Sequence, residues 1–159
     1  MRLAPWIALL LLLPGSAEAH VVVEPAQSEA GNWQRYTVLV PTEKSAATVR
    51  VAVKLPPGLE VVALESKPGW EGKYEPFPVG AACVQWQGGR IPAGQFLAFE
   101  FIAWNPPAPR TITWEATQWY EDGTSDRWGG AGDAQYGSTT TLRPAGGTPA
   151  PYRHGPPSK

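Results

Sequence analysis

The chain has 159 residues, and its 17 Gly and 18 Pro are too many for long helices to dominate, while a 43% apolar share with eight Trp is enough for one packed core. Thirteen basic and 14 acidic residues give a formal charge of −1 with no run of Lys or Arg, which argues against a nucleic-acid partner. The single cysteine, Cys83, excludes an intramolecular disulfide framework and any multi-thiolate zinc or iron–sulfur centre.

Residues 1–19 read as a secretory signal peptide: Arg2, an apolar run from Trp6 to Leu13, a Pro14-Gly15 break, then Ser16-Ala17-Glu18-Ala19. Small residues at Ala17 and Ala19 place cleavage after Ala19, which makes His20 the mature amino terminus. The apolar run is shorter than the roughly 20 residues needed to span a bilayer, and no later stretch is longer. The expectation is an exported chain, periplasmic or extracellular, without a transmembrane anchor after cleavage.

The chain from His20 onward reads as strands and turns. Val21 to Glu24 (VVVE) is a short strand ended by Pro25. After a polar segment from Gln27 to Asn32, Tyr36, Val38 and Val40 share one face of a second strand that stops at Pro41. Val49, Val51, Val53 and Leu55 alternate with Arg50, Ala52 and Lys54, the pattern of a strand with one buried face, before Pro56-Pro57-Gly58 turns the chain. Leu59 to Glu65, Trp70 to Tyr74 and Cys83 to Gln87 give further strands, the last followed by a predicted turn at Gly88-Gly89. Phe96 to Trp104 (FLAFEFIAW), apolar on both faces except for Glu100, predicts a central strand covered on both sides. Thr111 to Tyr120 reads as one strand, and Asp122-Gly123 as a hairpin turn into Thr124 to Trp128. Gly129 to Gly137 reads as loop and Ser138 to Leu142 as a last strand. Pro, Gly and scattered charges in residues 144–159 indicate a disordered tail. Eight or nine short strands predict an all-β, antiparallel β-sandwich spanning residues 20–143.

His20 is the most informative residue. At a free terminus its α-amino nitrogen and its Nδ1 close a chelate on one metal ion, and nitrogen donors of this kind suit Cu(II). Cleavage after Ala17 would remove that chelate. Further donors are scarce: His154, the only other histidine, sits in the Pro/Gly tail. Glu24, on the same side of its strand as Val22, reads as ligand or surface charge. Glu43, just past the second strand, can approach His20 if the first two strands pair antiparallel. Cys83 lies in an alternating segment and reads as a small buried hydrophobe. Trp104 and Trp114 read as core, whereas Trp128 enters a Gly-rich stretch with less packing to do. A serine or cysteine hydrolase needs a histidine base inside the fold, and none is available. No phosphate loop, dinucleotide fingerprint or HExxH occurs.

HVVVEP at His20 to Pro25, AGNWQRYTVLVPTE at Ala30 to Glu43 and WYEDGTSDRW at Trp119 to Trp128 resemble the YcnI-like copper-binding domain family over about Val21 to Leu142. The resemblance implies a cupredoxin-like or immunoglobulin-like β-sandwich that binds one Cu(II) per chain in a monohistidine brace. It assigns amine and imidazole to His20, a carboxylate to Glu43 of the Pro-x-Glu match, and the nearby indole to Trp128. The implied role is non-enzymatic: an exported copper chaperone or buffer, with the copper ion and other periplasmic copper-trafficking proteins as partners. Two other readings stand beside it. Surface Trp residues would suit a carbohydrate- or partner-binding module, and a terminal histidine on a β-sandwich would suit a copper-dependent polysaccharide monooxygenase, which normally needs a second histidine.

Overall fold

The computed structural model describes residues 20–75, 82–130 and 137–146. The expected signal peptide, His154 and most of the expected tail lie outside the described residues.

Among the described residues twelve strands occur in chain order: β1 (Val22–Glu24), β2 (Gln27–Glu29), β3 (Trp33–Pro41), β4 (Thr48–Lys54), β5 (Glu60–Leu64), β6 (Glu71–Glu75), β7 (Cys83–Ile91), β8 (Phe96–Trp104), β9 (Arg110–Thr113), β10 (Glu115–Tyr120), β11 (Ser125–Trp128) and β12 (Thr139–Arg143). They form a four-stranded sheet in the order β1-β3-β8-β5, a five-stranded sheet in the order β11-β10-β4-β7-β6, and a small sheet β2-β12-β9. No helix occurs among the described residues, and the all-β sandwich expected from the sequence is the observed architecture. Pairings are antiparallel except that of β2 with β12, which is parallel.

Alternation builds the core. Tyr36, Val38 and Val40 of β3 and Phe99, Phe101 and Ala103 of β8 meet Val51 and Val53 of β4 and Val84 and Trp86 of β7, all at 1% exposure or less. Burial of these side chains is the main force holding the two sheets together. Across the interface the Trp86 ring stacks on Phe99 at 5.0 Å, and Trp114 meets Tyr36 edge-on at 5.0 Å. Among apolar residues at the site-bearing end, Val21 and Val23 insert into the same core, with Trp128 packed against it.

Several expectations are corrected. Gly88-Gly89 is a bulge within β7 rather than a turn: Thr48 pairs with Ile91 and Arg50 with Gln87, so three residues of β7 oppose one of β4. Gly88 takes the left-handed φ of 90°, and a Cβ at Gly89 would fall 2.2 Å from the Trp70 indole, which lies directly on its backbone. The same irregularity leaves Val49 half-buried and buries Thr48 instead. The predicted strand 111–120 breaks at Trp114, where the chain leaves the small sheet for the five-stranded one. Phe96 to Trp104 is covered on its inner face alone. Its outer residues are half-buried, Phe96 is 66% exposed, and Trp104 is one of the outer residues rather than core. Cys83 is half-buried beside Lys54 and Glu75 rather than a core residue.

Candidate metal centre

Val22 pairs with Leu39 in the antiparallel β1–β3 register, and continuing that register sets His20 beside Pro41, two residues before Glu43. His20, half-buried, thus stands just ahead of an edge strand whose other end is tied down. Ser138 Oγ accepts the Val23 N–H at 2.8 Å, and the Pro25 carbonyl accepts from Thr140 Oγ1 at 2.7 Å. Thr140 in turn accepts from the buried Trp114 Nε1 at 3.0 Å.

The opposite sheet supplies Trp128. On β11 the half-buried Asp126 and Trp128 alternate with exposed Ser125 and Arg127, so both face the interior side of the edge. The imidazole of His20 rests against the Trp128 indole, with ring centroids 4.9 Å apart and planes inclined by 42°. Nδ1 of His20 is shielded from solvent, and Trp128 Nε1 is buried with no hydrogen-bond partner among the described residues. Two residues singled out from the sequence, 108 positions apart in the chain, therefore meet across the mouth between the two sheets. After Trp128 the chain must turn at once: Gly129 has φ 72°, and a Cβ there would fall 2.2 Å from the Trp114 carbonyl oxygen.

Glu43 is exposed on the segment that leaves β3. That segment is held from below. Gln118 Nε2 donates to the Pro41 carbonyl at 2.7 Å and to Thr48 Oγ1 at 2.5 Å, and the hydroxyls of Thr42 and Thr48 share a 2.7 Å hydrogen bond. The neighbouring Lys44 pairs with Asp126, while Tyr120 donates its hydroxyl to Asp126 Oδ2 at 2.9 Å. Burial first, then the Asp126 carboxylate and, more weakly, the charges of Glu43 and Asp122 push the Tyr120 hydroxyl far above the ordinary phenol range. Sequence reasoning missed Lys44, Tyr120 and Asp126. The signal was the Asp122-Gly123 hairpin, which folds Asp126 back opposite Gln118 and within reach of Tyr120.

No group of three or more His, Cys, Asp or Glu side chains that could hold a metal occurs among the described residues. The mouth brings together the His20 imidazole and the Trp128 indole, and Glu43 lies two residues past the position that the β1–β3 register sets beside His20. Glu24 is exposed on the outer face of β1, on the same side as Val22.

Residues 20–149 match the family described as Domain of unknown function (DUF1775). The chain belongs to that family. This agrees with the YcnI-like resemblance of the segments at His20, Ala30 and Trp119. Within the curated proteins, Copper-binding protein CutI of Bacillus subtilis (strain 168) is 38% identical over 130 residues, covering 80% of this chain and 64% of CutI. The chain thus spans less than two thirds of that relative's length. An uncharacterised protein from Nocardia farcinica with an immunoglobulin-like fold is 27% identical, with a TM-score of 0.63 over 77% of this chain and 97% of that one.

In this DUF1775 chain the remaining tryptophans are largely engaged in packing. Trp86 and Trp114 are buried, and Trp70 packs edge-on against Phe99 at 4.9 Å. One face of Trp119 is covered by the Arg50 guanidinium, 4.4 Å from the ring centroid. That guanidinium also donates twice to Gln85 Oε1, and Gln85 passes the link on to Glu75 at 2.7 Å. Cys83 sits beside this polar chain, where burial and the Glu75 charge, against a smaller pull from Arg50, raise its thiol above the ordinary range.

Proposed function

We propose that this chain is an exported copper-binding protein that takes one Cu(II) at the mouth between β1 and β11. In this reading His20, exposed as the terminus by cleavage after Ala19, supplies its amine and Nδ1. Glu43 supplies a carboxylate, and Trp128 walls the site on its inner side. The observation that carries the reading is the His20–Trp128 contact at the start of β1. The name of the 38% identical CutI supports copper as the ion, and the family match begins at His20, as expected if the preceding residues are removed.

The residues favour holding and releasing an ion over turning over a substrate. Few protein donors leave coordination positions open to solvent or to a partner's ligand, which suits transfer between proteins. Both nitrogens ligate only when deprotonated, so binding releases protons and affinity falls as the solution is acidified. The protein's part is to fix the imidazole against the indole and to keep the terminus at the rim, where an incoming ligand can reach it. A role as chaperone or buffer among periplasmic copper-trafficking proteins follows from this chemistry.

The test is a Cu(II) titration of the chain beginning at His20, beside the same chain with two residues added ahead of His20. One equivalent bound, with nitrogen hyperfine structure in the paramagnetic resonance spectrum that the extended chain lacks, is the expected result. Equal binding by both chains, or none by either, would remove His20 from the site and end this reading.

A further inference from the structure

The copper reading requires an exposed carboxylate, carried on the segment that leaves β3, to stay near the start of β1. A long acidic side chain on a loose segment would lose much of its binding energy to ordering, so something must hold that segment in place. We propose that Lys44, Asp126 and Tyr120 form a clasp that fixes the Glu43 segment to β11, making them positioning residues for the carboxylate. The inference rests on the copper reading and deepens it.

The geometry is specific. Both oxygens of Asp126 are taken, each from a different element: Lys44 Nζ donates to Oδ1 at 2.8 Å and the Tyr120 hydroxyl to Oδ2 at 2.9 Å. The Lys44 ammonium also lies 4.5 Å from the centroid of the Tyr120 ring, so it is held from two sides. Asp126 sits two residues before Trp128 on the same half-buried face of β11. The clasp therefore ties Glu43's neighbour to the strand that carries the site's indole. On the other side of Glu43, the Thr42 N–H donates to the Gln95 carbonyl at 2.9 Å and the Thr42 carbonyl accepts from the Gly94 N–H at 2.7 Å. Residues 42 and 44 are thus both pinned, while Glu43 between them is turned outward.

The clasp acts by position rather than by stabilising the fold. The Lys44 and Asp126 side chains are 40% and 30% exposed, and a pair that open adds little to stability.

The experiment uses the chain beginning at His20 and measures Cu(II) affinity by competition with a chelator, together with the paramagnetic resonance spectrum. Lys44→Met and Asp126→Ala are each made alone and in a Glu43→Gln background. Each is expected to lower affinity about tenfold when Glu43 is present, the lower end of what losing a ligand's supporting contact costs. Neither should lower it further in Glu43→Gln, because coupled residues are not additive. The charge swap Lys44→Asp with Asp126→Lys should recover most of the loss. Thermal midpoints identify any variant that fails to fold; Lys44→Met and the charge swap decide the matter if Asp126→Ala does not. Wild-type affinity in the folded clasp variants, or the same tenfold loss in the Glu43→Gln background, would overturn the clasp and leave the copper reading standing. Absence of terminus-dependent binding in the wild-type chain would instead overturn the copper reading and the clasp together.

Discussion

Asn105, just past the end of β8, gathers three parts of the chain around one buried amide. Its Oδ1 accepts the Tyr36 hydroxyl at 2.6 Å, and its Nδ2 donates to Ser28 Oγ at 2.9 Å and to the Glu29 carbonyl at 2.8 Å. Burial pushes the Tyr36 phenol up to about 12, against a smaller pull downward from the Asn105 hydrogen bond. The folded state therefore prefers the neutral phenol. That contribution is fully present below the ordinary phenol value of about 10 and is lost as pH rises through the folded value. Tyr36→Phe should cost about 1–3 kcal/mol at neutral pH by leaving the buried Asn105 oxygen without a donor, and should remove this step from the alkaline loss of stability. Urea unfolding at neutral pH and above pH about 10 checks both effects. Such residues differ in how readily the sequence shows them. His20 stood out because a terminal histidine has its own chemistry, and Trp128 because a bulky ring before two glycines lacks obvious packing. Lys44 and Asp126 gave no comparable signal, since the value of either depends on a partner 82 positions away.

The clearest single dependence among the elements is that of β11 on the glycine behind it. Gly129 has φ 72°, and a Cβ there would fall 2.2 Å from the Trp114 carbonyl oxygen, at the point where β9 gives way to β10. Gly129→Ala should cost more than the roughly 1–2 kcal/mol of a left-handed residue alone, because backbone must move as well, and should displace Trp128 from His20. Gly130→Ala should be milder: its added Cβ meets the flexible end of Glu115 at 3.3 Å. Thermal melts of the two variants, with near-ultraviolet dichroism to follow the indoles, check the order. The β3 and β4 strands were legible because their inward residues alternate, and the β10–β11 hairpin because Asp-Gly marks a turn. What escaped was set at long range. Trp70 lying on Gly89 fits the bulge in β7, and that bulge shifts the face of Val49. Strand β2 reads Gln-Ser-Glu, with no apolar alternation, and owes its form to backbone pairing with β12.

The two main sheets form one body because their aromatic residues cross the gap. Trp86 is fully buried, stacks on Phe99 of the facing sheet and lies 6.5 Å from Phe101. Trp86→Ala should lower stability by about 3–5 kcal/mol. Denaturant unfolding followed by both fluorescence and far-ultraviolet dichroism should keep the two signals coincident, since the sheets share one core. At this scale the sequence was most informative: composition and strand spacing were enough for a sandwich, while the order of strands within each sheet needed the structure. The mouth holding His20 and Trp128 is bounded by the ends of two short edge strands, β1 of three residues and β11 of four. Strands this short present few unpaired backbone groups, and the Val23 N–H is already taken by Ser138. A neighbouring molecule therefore finds little template along this side for extending the sheet.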